Sequence, residues 1–485
     1  MNDLKDRILA LQLQSAALEP GEGERDRLLE ELQYYSNNFI NSLGEQKAYI
    51  GEKADVSTFQ IGEGTRTLKE VLEIYSREVA AKGVKPASGG HMGYIPGGGI
   101  FTAALGDYLA DVTNEYAGIS FASPGAVAME HALLNWMKSL FNFPETAVGN
   151  LTSGGSIANM IALTAARDKY VIKGAQIEKS VVYLSEHLHH CNLKALRIIG
   201  LEDVVIRHLQ LDERSRIDPG DLEKKVNEDK LAGLKPFLVI ASAGTTDTGA
   251  VDPLKDIGEI CLAEDLWFHI DAAYGGFFIL TEKCKSMFRG IGLANSLAID
   301  PHKGLFLPFG LGAVLIKDRE AVFHSHHHNA NYMQDAKENA EVIDPADVSP
   351  ELTKHFRALR LWLPLQLHGT APFIACLQEK LLLTKYFRIK LKEAGFKLGP
   401  EPDLTVSYFW WPLAVGDENS FNKRLIKEIH RDGRVFLTST TIKGKFVIRL
   451  AILSFRSKIE TVDRAMEMIL TAKEKVLAED KDLGI

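Results

Sequence analysis

Cysteine is scarce in this sequence: four among 485 residues, Cys191, Cys261, Cys284 and Cys376, far apart and with no CxxC pair. That excludes a disulfide framework and a zinc ribbon and leaves four core thiols. No apolar run approaches the roughly 20 residues that a membrane span requires. The opening segment MNDLKDRILALQLQSAALEP breaks its apolar positions with charge. It has neither the apolar core nor the small-residue cleavage site of a signal peptide, so the expected compartment is the cytoplasm. An excess of positive charge is missing too: the formal net charge is -8, which argues against a nucleic-acid partner. The cluster HSHHH at 324–328 lacks acidic or cysteine ligands at a recognisable spacing. It reads as a solvated loop, and no metal is expected.

What is present is an ordinary globular composition, 46% hydrophobic and 25% charged, in a chain long enough for two or three packed regions and a buried site. Residues 1–85 read as a helical arm. Leu4, Ile8 and Leu11 recur at helical spacing, as do Leu28, Leu29, Leu32, Tyr35 and Phe39, and a third helix is expected to start near Thr67. With no sheet of its own, this arm must lie across the main domain or reach a second subunit. From Gly89 the texture changes to a loop, GGHMGYIPGGG. Short runs suited to buried strands follow, at 180–184, 237–243, 267–271, 296–300 and 313–316. Helical stretches such as IANMIALTAARDKY and PLKDIGEICLAED lie between several of them. The alternation predicts an α/β domain with a mainly parallel sheet over 86–385. Residues 317–350 read as a long irregular connection, and 386–485 as a smaller α/β domain.

Four motifs carry the chemistry: TSGGSIAN (152–159), HLHHC (187–191), HIDAAYGG (269–276) and DPHKG (300–304). Their order places a phosphate cradle, an imidazole, an acid and an amine at the ends of successive strands, where an open α/β sheet keeps its ligand crevice. Gly154 and Gly155 let backbone N–H groups approach an anion, and the helix opening at Ser156 presents its positive end. On these residues alone, a plain glycine turn with a serine cap fits equally well. Asp271 ends an apolar strand, a poor place for a carboxylate unless a cation meets it. A protonated pyridine nitrogen is such a cation, and at about 4 Å with an effective dielectric near 20 the pair gains roughly 4 kcal/mol. A strand cap or a metal ligand would also account for it. Lys303 is the candidate nucleophilic amine, because a buried lysine loses its proton more readily. A lysine that snorkels to the surface is the alternative. His302 is a candidate phosphate donor. His189 is the candidate to lie on one face of a cofactor ring, with His187 or His190 as alternatives, and Ala273 shares a strand side with Asp271 and can pack the other face.

The segments SPGAVAMEH, LTSGGSIANM, ASAGTTDTGAVD, HIDAAYGGF, DPHKG and FVIRLAI, in this order between Gly89 and Arg449, resemble the group II pyridoxal 5′-phosphate (PLP) decarboxylases, the family of aromatic-L-amino-acid and glutamate decarboxylases. The resemblance implies the type I PLP fold and an obligate homodimer with active sites at the subunit interface. It assigns Lys303 to the Schiff base with PLP, Asp271 to the pyridine nitrogen, His189 to ring stacking and Ala273 to the opposite face. It places Thr246 near the cofactor, gives Gly154, Gly155, Ser156, Asp300 and His302 to the phosphate side, and aligns Arg449 with the arginine that meets the substrate carboxylate. Tyr94, Ile95 and Pro96 match the family's apolar substrate wall, which suits an uncharged or aromatic amino acid better than glutamate.

Three departures stand out. Family decarboxylases carry a loop tyrosine that protonates the quinonoid carbon after CO₂ leaves, but this chain has no tyrosine between Gln334 and Lys385, and Tyr332 is the nearest proton-donor candidate. Asp300 stands where asparagine is common, and Gly304 where aromatic decarboxylases often have a large residue. The expected activity is decarboxylation of an L-amino acid to its amine. The alternatives are an aldehyde-forming oxidative decarboxylase or other carbon–carbon lyase, and a PLP-binding protein that has lost catalysis.

Overall fold

The structure is a computed structural model that describes residues 1–326 and 342–482. Its centre is a seven-stranded sheet of β3 (Val148–Thr152), β4 (Ser180–Leu184), β5 (Val205–His208), β6 (Lys235–Ser242), β7 (Trp267–Ala272), β8 (Ser296–Ile299) and β9 (Gly312–Ile316). The order is β3-β9-β8-β7-β6-β4-β5. Neighbours from β5 to β8 pair in parallel, and β9 runs antiparallel to both β8 and β3. Strands β3 and β5 belong to none of the runs expected from composition. β5 is half exposed at the sheet edge, and β3 carries Gly149 and Asn150, which hide its strand character.

Both faces of the sheet are covered, and side chains alternate between two cores. Tyr183, Val239, Ala241, Phe268, Ile270, Leu297 and Ile299 enter one cluster, while Val182, Leu184, Leu238, Ile240, Trp267 and Ala298 enter the other. This period of two is why the strands read as continuous apolar runs. The helix Gly155–Lys169 packs Ala158, Ile161, Ala162, Ala165 and Ala166 into the second core. Its small residues let its backbone approach the sheet closely. Parallel strands deliver their carboxyl ends to one edge, so residues 153–156, 189–191, 243–246, 273 and 300–303 are gathered there by topology.

A second, antiparallel sheet, ordered β10-β11-β13-β12, contains β10 (Lys397–Leu398), β11 (Val406–Trp410), β12 (Thr438–Ile442) and β13 (Lys445–Ala451). It has its own core with the helices Glu418–Asp432 and Ile459–Asp482. The junction expected at 385/386 falls inside one helix, Ala371–Glu393. Phe373, Leu377 and Leu381 on its first half join the core of the large sheet, and Leu383, Phe387 and Leu391 on its second half join the core of the small one.

The N-terminal segment forms helices Asn2–Ser15, Glu22–Ser42 and Leu68–Tyr75. Thr67 and Glu70 close the third in a reciprocal capping box. The expectation that this arm has no sheet is corrected in one detail: β1 (Tyr49–Ile50) and β2 (Gly83–Val84) pair antiparallel. The connection expected to be irregular from 317 begins with a helix, Arg319–His326, that buries Ala321 and Val322. Tyr332 and part of the HSHHH cluster lie outside the described residues. Among the described residues no group of three or more His, Cys, Asp or Glu is arranged to hold a metal, and no helix is long and apolar enough to cross a membrane.

Candidate active site

At the carboxyl edge of the large sheet lies a cavity of about 410 Å³. Gly154, Gly155, Ser156, His189, Thr246, Asp271, Ala273, Asp300, His302 and Lys303 all line it. Of the three candidate histidines in HLHHC, His189 is the one in that wall. Its Nδ1 accepts from the Cys191 backbone N–H at 3.3 Å, and burial pushes its pKa below the ordinary histidine value, so the imidazole is neutral at pH 7.

Asp271 is buried at the end of β7 and accepts three hydrogen bonds. Oδ2 takes Asn159 Nδ2 at 3.1 Å and Asn192 Nδ2 at 2.8 Å, and Oδ1 takes the Ala273 N–H at 3.2 Å. All three partners are neutral donors, a shell that keeps the carboxylate's charge available to a cation in the cavity. Lys303 is the third residue of the short helix Pro301–Gly304, and its Nζ sits 3.1 Å from Asp300 Oδ2. Burial pulls the pKa of this amine down, but the Asp300 and Asp271 carboxylates outweigh it and hold the ammonium above the ordinary lysine value. Asp300 is 2% exposed, and its Oδ1 has no hydrogen-bond partner among the described residues.

Gly154 has φ +149°, and the helix that follows has no side-chain cap. An uncapped N-terminus at a cavity wall fits an anionic group. His302 donates from Nδ1 to the Leu311 carbonyl at 2.6 Å, because a carbonyl can only accept. Burial lowers its pKa, so the neutral ring offers a lone pair at Nε2 and becomes a phosphate donor only when it takes a second proton. An amine, a carboxylate held by neutral donors, a neutral imidazole and an uncapped helix end in one cavity of this size fit PLP.

Tyr94, Ile95, Pro96 and Arg449 do not line the cavity. Tyr94 is 67% exposed. The buried Arg449 guanidinium donates to the Thr246 carbonyl from Nε (2.9 Å) and Nη2 (2.5 Å), and from Nη1 to the Gly93 carbonyl (2.7 Å) and Thr438 Oγ1 (3.0 Å). It braces the wall from behind. Gly304 does not face the cavity either, since a Cβ there would meet Phe277 Cβ at 2.8 Å. Its size therefore reports core packing rather than substrate. Cys191, read as a core thiol, lines the cavity, with its pKa pushed up to about 12 by burial. Asn159 and Asn192 were missed altogether.

Residues 60–411 match the family model of the pyridoxal-dependent decarboxylase conserved domain. The chain is 35% identical over 425 residues to an aromatic-L-amino-acid decarboxylase of Bacillus atrophaeus, covering 86% of this chain and 88% of the relative. It is 29% identical to a phenylacetaldehyde synthase of Petunia hybrida, over 78% of this chain and 79% of that protein. The crystal structure of Oryza sativa TDC with PLP and tryptamine shares the fold with a TM-score of 0.89 at 22% identity, over 94% of this chain and 99% of that one. The chain belongs to the pyridoxal-dependent decarboxylase family and is a PLP-dependent amino acid decarboxylase of the type I fold.

Proposed function

We propose that the substrate is an aromatic L-amino acid and the product its amine, with Lys303, Asp271, His189 and Thr246 as the working residues. The observation that carries this is their convergence on one cavity in a chain whose relative from Bacillus atrophaeus is an aromatic-L-amino-acid decarboxylase. PLP, when bound, supplies the electron sink for loss of CO₂. Lys303 would hold the cofactor through its ε-amine. Asp271 would keep positive charge at the ring nitrogen, and His189 and Ala273 would pack against the ring. The uncapped helix end at Gly154, Gly155 and Ser156 holds the phosphate, with His302 beside it. Arg449 contributes by holding Thr246 and the Gly93 turn in place. Incubation with tryptophan, tyrosine, phenylalanine and glutamate is expected to give an aromatic amine and CO₂ in equal amounts without oxygen uptake. Stoichiometric aldehyde with oxygen consumption would instead establish the second reading. That reading is favoured by the phenylacetaldehyde synthase relative and by the lack of any tyrosine between 334 and 385.

We further propose a cytoplasmic homodimer with interfacial active sites. The helix Phe101–Thr113 leaves Phe101, Leu105, Tyr108, Leu109 and Val112 exposed on one face, and Leu4, Ile8 and Leu11 of the first helix are uncovered as well. A stripe of that extent is characteristic of a subunit interface. The four cysteines are unpaired, which fits a reducing compartment.

The Asp300 carboxylate bears on how the cofactor is loaded. The lysine amine attacks an aldehyde only without its proton, and the carboxylate at 3.1 Å favours the proton. Asp300→Asn is therefore expected to lower the pH midpoint for PLP condensation with the apoenzyme. The rate at pH 7 should rise severalfold, followed by the growth of visible absorbance. An unchanged or slower rate would show that Asp300 does not control the amine.

A further inference from the structure

Behind Asp271 lies a row of buried polar side chains that the cofactor roles leave unused. Trp267 Nε1 donates to Ser296 Oγ at 2.8 Å, and Ser296 Oγ lies 2.8 Å from His269 Nδ1. His269 Nε2 lies 2.8 Å from Asn159 Oδ1, and Asn159 Nδ2 donates to Asp271 Oδ2. Strand periodicity aligns them: Trp267, His269 and Asp271 alternate onto one face of β7, and Ser296 is the cross-strand neighbour of His269 on β8. Asn159 stands one turn into the helix that covers this face. His269, Asn159 and Ser296 have no exposed surface, so each polar atom must be satisfied within the protein.

Donor chemistry fixes each proton in the row. The Asp271 carboxylate can only accept, so Asn159 gives it the NH₂ and turns Oδ1 to His269 Nε2, which must be the protonated nitrogen and leaves Nδ1 to accept from the Ser296 hydroxyl. Burial holds the His269 pKa at about 4, so the ring is neutral near pH 7 and carries its single proton on Nε2. Asn159 Oδ1 accepts from that N–H, which keeps the Asn159 amino group toward Asp271. The reversed amide would set a carbonyl against a carboxylate and an N–H against an N–H. A neutral histidine thereby holds the Asn159 amide in the orientation that donates to Asp271, two residues further along the strand face.

We propose that Trp267, Ser296, His269 and Asn159 form a positioning relay that holds the Asp271 carboxylate in one orientation, with a lone pair left for the ring nitrogen of PLP. The inference rests on the placement of Asp271 at that nitrogen. Two near-isosteric variants separate the relay from general packing. In His269→Gln the amide nitrogen reaches the Nε2 position and keeps the bond to Asn159. In His269→Asn it reaches only the Nδ1 position, so the bond to Asn159 is lost.

The test titrates full-length apoenzyme with PLP and with the carbocyclic analogue in which C–H replaces the ring nitrogen, following quenching of tryptophan fluorescence. His269→Asn is expected to bind PLP about tenfold more weakly than His269→Gln, while both bind the analogue equally. Equal PLP affinity in the two variants, or equal losses for PLP and the analogue, would overturn the relay. If His269→Asn does not fold, Asn159→Ala removes the donor to Asp271 directly, and the expected ratio is the same. Asp271→Asn is the companion measurement. Should it leave the preference for PLP over the analogue intact, the ring-nitrogen placement itself fails. Should it abolish that preference while the His269 and Asn159 variants keep theirs, the relay alone fails.

Discussion

Lys303→Ala is expected to lower decarboxylation by about 10³-fold or more, the middle of the range for loss of an acid–base group, with loss of the covalent anchor added. Wild-type holoenzyme should be yellow and bleached by borohydride with the label fixed at position 303. The variant should bind PLP without any borohydride-stable attachment, and a covalent adduct in Lys303→Ala would remove the central assignment. The variant also carries a stability cost unrelated to chemistry. Asp300 is buried, and among the described residues its Oδ1 has no hydrogen-bond partner and its Oδ2 pairs with Lys303 at 3.1 Å and His302 at 3.7 Å. Removing the ammonium strands that charge. Breaking a buried pair costs roughly 3–5 kcal/mol, reduced here because the amine is 25% exposed to the cavity. Lys303→Ala combined with Asp300→Asn should regain stability in chemical denaturation while recovering neither covalent attachment nor turnover.

The parts of this site that were legible in the sequence are those where local order dictates position. Strand, turn and helix in TSGGSIAN, and strand followed by a turn in HIDAA and DPHKG, put their polar residues at the carboxyl edge whatever the rest of the chain does. The parts that were not legible depend on partners distant in sequence. Arg449 lies in a β-strand motif that suggests a substrate ligand, yet its donors are taken by carbonyls of Thr246 and Gly93, more than 200 residues away. Gly304 departs from the large residue common in aromatic decarboxylases, and the packing of Phe277, out of sight in the local motif, decides what fits there. Asn159 and His269 did leave a signal. His269 shares a strand face with Asp271, and Asn159 is an amide on an otherwise small, apolar helix face one turn after Gly155. Fully buried, each needed a partner, and the covering of that face by that helix made them partners of each other. The helix Ala371–Glu393 shows the same limit at the level of domains. Apolar periodicity continues through it without a break, so composition cannot reveal that its two halves serve different cores.

Asp271→Asn is expected to reduce kcat/KM by at least about 10³-fold, for two reasons. The first is charge. A carboxylate facing a ring-nitrogen cation at about 4 Å gains roughly 4 kcal/mol at an effective dielectric near 20, which corresponds to about three powers of ten in rate. The second is donor geometry. Oδ2 of Asp271 receives Asn159 and Asn192, and Oδ1 receives the Ala273 N–H. An amide has one acceptor oxygen, so its NH₂ must point either at two amide donors or at a backbone donor. Either choice disturbs the shell that positions the side chain and leaves a buried N–H unpaired, at about 1–3 kcal/mol. Asp271→Glu keeps the charge but displaces it by a methylene and should fall between wild type and Asp271→Asn, since it loses alignment without losing the anion. Steady-state rates at saturating PLP, with cofactor affinity measured separately, distinguish a rate defect from a loading defect. An Asp271→Asn enzyme within tenfold of wild type under those conditions would mean that another group holds the ring-nitrogen proton. Among the described residues lining the cavity, no second buried carboxylate on the β7 side is available for that task, because Asp300 is already engaged with Lys303 beside the phosphate cradle.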